Sequence, residues 1–143
     1  MIFNCFLTDN LPEYVLRDHQ RCAKYLNIDV NYRVVPATEN YDAIYSAHGN
    51  FINELMTDAS PDEVICFMDI DALPWSKTIL AESYRWVKKN RSFIGNAQNI
   101  SHTRLRNDIY AAASMLMISK SCYLELGKPD MAWTINSLGD QID

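Results

Sequence analysis

Five consecutive apolar residues, Val64-Ile65-Cys66-Phe67-Met68, stand between a Pro61-Asp62 turn and the acidic sequence Asp69-Ile70-Asp71. Side chains of a strand alternate between its two faces, so a run that is apolar at every position reads as a central strand buried on both. The flanking sequence supplies the cover. Ile2 to Leu7 reads as a second buried strand that ends in a turn at Thr8, Asp9, Asn10 and Pro12. From Pro12 to Leu26, Val15, Leu16, Cys22, Ala23 and Leu26 fall on one helical face, with Arg17, Asp18, His19, Arg21 and Lys24 on the polar side. Val30, Tyr32 and Val34 alternate with polar residues in a strand with one wet face, stopped by Pro36. Tyr41 to Met56 has helical spacing interrupted by Gly49, so this helix begins either at Tyr41 or near His48. Ser76 caps a third helix through Lys89, with Ile79, Leu80 and Val87 inward and Trp75 and Trp86 as packing residues. Short strands at Phe93–Gly95 and Ala112–Ile118 follow, then a short helix capped by Ser119 and stopped by Gly127. The alternation predicts an α/β fold with a mostly parallel central sheet in one domain spanning 1–143.

Thirteen Lys plus Arg against eighteen Asp plus Glu leave a net charge of −5, which argues against nucleic acid as a partner and means that an anionic ligand needs a bound cation. The longest clean apolar stretch, Ala111 to Ile118, is far short of the roughly twenty residues of a membrane-spanning helix. The start of the chain has no basic flank and is too short for a signal peptide, so a cytoplasmic location is expected. Cys5, Cys22, Cys66 and Cys122 lack CxxC spacing and read as free thiols, mostly buried.

Twelve aspartates in a chain of this length produce about one Asp-x-Asp by chance, so the pair at 69 and 71 is informative only through its position. Two carboxylates at the end of a buried strand suffer desolvation and mutual repulsion unless donors or a cation compensate. Mg²⁺ or Mn²⁺ does so, binding one or two carboxylates and completing its shell with phosphate and water. The plainer alternative is a solvated strand-to-helix turn in which Asp71 merely precedes Pro74.

In this order of parts the chain resembles the GT-A glycosyltransferases, which move a sugar from a nucleoside diphosphate donor to an acceptor. The likeness rests on Ile2 to Asn10 as first strand and base-side loop and on Ser46-Ala47-His48-Gly49-Asn50 as the opening of the helix before the motif strand. It rests also on Cys66 to Pro74 as the family's DxD segment, Ala112 to Ser119 as the strand beyond it, and Leu138 to Asp143 as the late acidic segment. It implies a Rossmann-like three-layer α/β/α sandwich and a UDP-sugar donor held with Mn²⁺ or Mg²⁺. Thr8, Asp9 and Asn10 would edge the base, and Asp71 would ligate the metal. Asp69 would face the ribose or a metal-bound water, with Ile70 between the two acids in the binding turn. Asp140 would serve as base for an acceptor hydroxyl or orient donor hydroxyls, with Asp143 in reserve. The acceptor, a saccharide or another hydroxyl compound, is not specified, and the acceptor-side C-terminal portion is minimal or missing compared with the family.

His48 and Asn50 fit a helix N-terminus that aims donors at a phosphate or sugar, or equally a structural cap. His102, Arg104 and Arg106 fit phosphate recognition but more commonly are solvated loop charges, and Trp133 is the candidate sugar platform. Two other readings compete. One is a haloacid dehalogenase-type phosphohydrolase, which also places Asp-x-Asp after an apolar strand; the other is a noncatalytic nucleotide-binding module.

Overall fold

The computed structural model describes residues 1–72, 76–99 and 109–132. Strand β1 (Ile2–Thr8) leads through helix α1 (Glu13–Leu26) to β2 (Asp29–Val35), and helix α2 (Tyr41–Asp58) leads to β3 (Val64–Met68). Helix α3 (Lys77–Asn90), strands β4 (Phe93–Asn99) and β5 (Ile109–Ser119) and helix α4 (Lys120–Glu125) follow. The five strands form one open sheet in the order β2-β1-β3-β5-β4. β1 pairs in parallel with β2 and β3, whereas β5 is antiparallel to both β3 and β4, so four of the five strands run the same way. The fold is mixed α/β with a mostly parallel sheet, as the alternation of strands and helices predicts. Both late strands extend beyond the short runs expected from sequence.

Helices cover both faces. On one, Ala23 and Leu26 of α1 and Leu80 and Val87 of α3 pack with Phe3, Val64, Cys66 and Met68. On the other, Ile52 and Met56 of α2 and Cys122 and Tyr123 of α4 pack with Ile65, Phe67, Leu116 and Ile118. β3 is buried at all five positions because it supplies side chains to both layers. Cys5, Cys66 and Cys122 are buried and Cys22 half-buried, all four as free thiols. Among the described residues no helix is long and apolar enough to cross a membrane.

Several helix faces differ from the sequence reading. His19 is only 2% exposed, because the buried stripe of α1 runs through His19, Ala23 and Leu26 and so is rotated toward β2. Its Nδ1 is hydrogen-bonded to the Tyr32 hydroxyl at 2.8 Å, while Nε2 is buried without a hydrogen-bond partner. Burial pushes the imidazole below its ordinary range. Protonation would create a buried N–H with no acceptor, so the unfolded chain binds the proton more readily than the native one. Stability is therefore full above about pH 6.5, the ordinary histidine value, and falls as the pH drops through the depressed native value. Equilibrium urea unfolding between pH 7.5 and 5 is expected to show this loss, and His19→Phe should reduce it. In α3, Ile79 and Trp86 are 47% and 50% exposed rather than packed inward, since Leu80 and Val87, flanked by half-buried Tyr84, form the face that meets the sheet.

Lys120 is buried at the start of α4 and its ammonium donates to the Met56 carbonyl and, at 3.2 Å, to that of Thr57. These are carbonyls at the end of α2, where the helix dipole is negative. The Ser119 hydroxyl caps α4 by accepting from the Cys122 amide at 3.2 Å. Lys120→Met keeps the stem but removes the charged donor, and hydrogen bonds to charged groups contribute about 1.5–3 kcal/mol. A lower midpoint in urea with unchanged slope is the expected result.

Candidate functional site

The direction of the chain changes across β1. The α1 crossover carries it to β2 on one side, and the α2 crossover returns it to β3 on the other, with the two helices on opposite faces. Such a switch point leaves a crevice outside the carboxyl ends of the two central strands, where ligands of open α/β sheets bind. Here the crevice lies beyond Thr8 of β1 and Met68 of β3. The parallel pairing reaches Asn4 with Phe67. Carried two residues further, that register aligns Phe6 with Asp69, and two more align Thr8 with Asp71. The Thr8 to Asn10 loop and the Asp69 to Asp71 turn therefore share one rim, as their positions in the sequence suggest.

Each side of the rim is fixed by hydrogen bonds. The Thr8 hydroxyl donates to Asn10 Oδ1 at 2.7 Å, and the Asp9 carboxylate accepts from the Ala37 amide at 2.8 Å. The Asp9 amide in turn donates to the Val35 carbonyl at 2.9 Å, tying the first loop to the end of β2. In the acidic turn the Asp69 amide donates to the Ser114 carbonyl at 3.1 Å, and the Asp69 carbonyl accepts from the Ala72 amide at 3.0 Å. Asp69 and Ile70 are half-buried and Asp71 is exposed.

The carboxylates differ in environment. Burial pushes the Asp69 carboxyl up, His48 draws it down, and Asp71 raises it again. His48 is itself pushed below its ordinary value by burial, with Asp69 opposing. The Cys5 thiol, pushed up to about 12 by burial and then by Asp69 and Asp71, is no nucleophile. Asp71 and the neighbouring Asp69 are the carboxylates of this turn that could hold a hard cation. Among the described residues there is no group of three or more His, Cys, Asp and Glu side chains arranged to hold a metal. One or two carboxylates with the remaining positions filled by phosphate and water is the arrangement Mg²⁺ favours.

His48 does not lie at a helix N-terminus. Asn40 caps α2, accepting from the Ala43 amide at 3.3 Å, which puts His48 and the exposed Asn50 well inside the helix. The His48 ring stacks on Phe6 with centroids 5.0 Å apart, and this contact brings it to Asp69. Gly49 does not interrupt the helix. It is buried where the Met131–Ala132 backbone crosses α2, and a Cβ there would intrude on the Met131 carbonyl and stand 2.5 Å from Ala132 Cα. The crossing segment is clasped by Asn53, whose amide donates to Asp130 at 2.6 Å and whose Oδ1 accepts from the Met131 amide at 3.0 Å. Trp75, His102, Arg104, Arg106, Trp133, Asp140 and Asp143 lie outside the described residues.

Sequence reasoning missed Ser114. The β4–β5 register passes from Gly95 opposite Leu116 to Asn96 opposite Ala112, an irregularity that leaves Ser114 outside the regular ladder. Its carbonyl holds the Asp69 amide, while its hydroxyl accepts from Asn96 Nδ2 at 3.3 Å. Bulges commonly re-aim a strand beside a site. A lone serine in the apolar run from Ala111 to Ile118 was the available signal.

Clefts border the sheet among the described residues. One of about 300 Å³ lies between α1 and β2, around Lys24, Asn27 and Asp29, away from the acidic turn. Another, of about 410 Å³, runs from Ala72 and Ser76 along α3 toward β4 and β5, and Ala72 at its end directly follows Asp71 in the chain. Comparison with known protein families found no match for the chain, and comparison with curated proteins found none either.

Proposed function

We propose that this protein is a divalent-cation-dependent glycosyltransferase of GT-A type that takes a nucleoside diphosphate sugar, by family habit a UDP-sugar, and transfers the sugar to a hydroxyl acceptor. The observation that carries this reading is the acidic turn at the switch point between β1 and β3, facing the loop from Thr8 to Asn10 across one rim. Asp71, exposed on that rim, would hold Mn²⁺ or Mg²⁺. Half-buried Asp69 would face the ribose or an ordered water, its orientation set by the Ser114 carbonyl on its amide and its charge moderated by His48. Ile70 would line the binding turn, and the first loop would edge the base. The cation supplies charge neutralisation for the departing diphosphate, a task this net-negative chain needs done. Asp140, with Asp143 in reserve, would receive the acceptor's proton or orient the donor's hydroxyls. His48 would contact the donor's phosphates or sugar from inside α2, and Asn50 belongs to the same proposed binding set.

Product analysis tests the reading. With UDP-glucose or UDP-galactose and Mn²⁺, release of UDP without inorganic phosphate is expected, and Asp140→Asn should retain UDP binding while losing turnover. Inorganic phosphate as the product would replace this reading by a phosphohydrolase. UDP binding with no product from any donor would replace it by a noncatalytic binding module.

A further inference from the structure

The cleft beside α3 has a chemistry unlike that of the acidic rim it opens on. Its floor is Leu80 and Met117, 5% and 2% exposed, and its sides carry Ile79 from α3 and Ile94 from β4, 47% and 37% exposed. Met115, half-buried, completes an apolar lining that contains no charged side chain among the described residues. Ser76 and Ser83 add hydroxyls on the α3 side, and Asn96 adds a carboxamide from β4. A volume of about 410 Å³ falls in the range of small-ligand pockets, which are mostly apolar with a few placed polar groups. The two methionines give the lining the adaptability of unbranched thioether side chains. Gly95, which lines the cleft without a side chain, stands where the β4–β5 register shifts. On its other edge β5 keeps its register with β3, and Ser114 continues that ladder by accepting from the Asp69 amide, so the strand that lines the cleft also holds the acidic turn.

We propose that this cleft holds the apolar body of the acceptor, an uncharged aryl or alkyl alcohol whose hydroxyl emerges at the mouth beside Asp71. The acceptor role rests on the glycosyltransferase reading; the binding of an apolar body rests on the cleft alone. In the transfer, the acceptor oxygen bonds to the anomeric carbon and its proton goes to the base. The bond from that carbon to the diphosphate oxygen breaks, and the nucleoside diphosphate leaves with the electron pair. An oligosaccharide body is disfavoured, because its many hydroxyls outnumber the few polar groups of the lining, Ser76, Ser83 and Asn96.

Calorimetric titration with 2-naphthol, an uncharged aryl alcohol, tests the proposal. Saturable binding is expected in the wild type. Ser83→Trp, which fills the cleft from α3, and Ile94→Glu, which puts a charge at its side, should each weaken it at least about tenfold. Asp71→Asn should bind naphthol as the wild type does. Naphthol binding with that variant pattern but no binding of UDP with Mn²⁺ would support the cleft while overturning the donor reading. Absence of saturable binding, unchanged affinity in both cleft variants, or preferential binding of maltotriose would overturn the proposal.

Discussion

Replacing Asp71 with alanine is expected to abolish Mn²⁺-dependent binding of UDP while leaving the unliganded protein as stable as the wild type. The side chain is exposed and lies three positions beyond the end of β3, so its loss leaves the core untouched, and surface substitutions of this kind usually change stability by within about 0.5 kcal/mol. Its effect on binding should be large. Altering even an outer partner of a metal ligand costs about 10- to 100-fold in affinity, and Asp71 is placed as a ligand itself. Thermal denaturation gives the readout: a ligand at a hundred times its Kd stabilises the native state by about 2.7 kcal/mol. The wild type should gain that increment with UDP and Mn²⁺ together, and the variant should gain none. An undiminished increment in the variant would remove Asp71 from the site.

Gly49→Ala should destabilise the protein although helix propensity predicts the reverse. Alanine is favoured over glycine inside a helix by about 1 kcal/mol. At this position the added Cβ would press on the Met131 carbonyl and on Ala132 Cα, and neither backbone group can move aside as a flexible side chain would. Overpacking of this kind costs about 1–3 kcal/mol and sometimes more, so the clash outweighs the propensity gain. The melting temperature should fall, by about 2–4 °C for each net kcal/mol lost in a chain near 150 residues. Asn53→Ala provides the comparison, since it releases the clasp on Asp130 and Met131 without adding atoms. A rise in melting temperature for Gly49→Ala would mean that the crossing segment does not press on α2.

Residues whose local chemistry agrees with their tertiary setting were legible in the sequence. Val64 to Met68 is apolar at every position and is buried at every position, and Ser76 and Ser119 cap the helices that follow them. Thr8 and the acidic pair could be assigned to one rim because parallel strands put their carboxyl ends together. The direction of β5 was not legible, since an apolar strand looks the same in either orientation and only its connection to β4 decides. Gly49 looked like a helix breaker because its reason, the chain crossing above it, comes from residues more than eighty positions away. His19 looked polar because its partner, Tyr32, lies on the next strand. Ile79 looked like a core residue because its spacing fits the helix face, whereas it lines a cleft shared with Ile94 and Gly95 of β4, which lie outside its own helix.

The central claim is a cation-dependent nucleotide site on the rim between β1 and β3. Calorimetric titration of the wild-type protein with UDP, once with Mn²⁺ and once with a chelator, tests it most directly, with GDP run in parallel to identify the base. The account predicts saturable binding of one nucleotide with Mn²⁺ and its loss when the metal is chelated. Equal affinity with and without the metal, or no binding of either nucleotide, would contradict it.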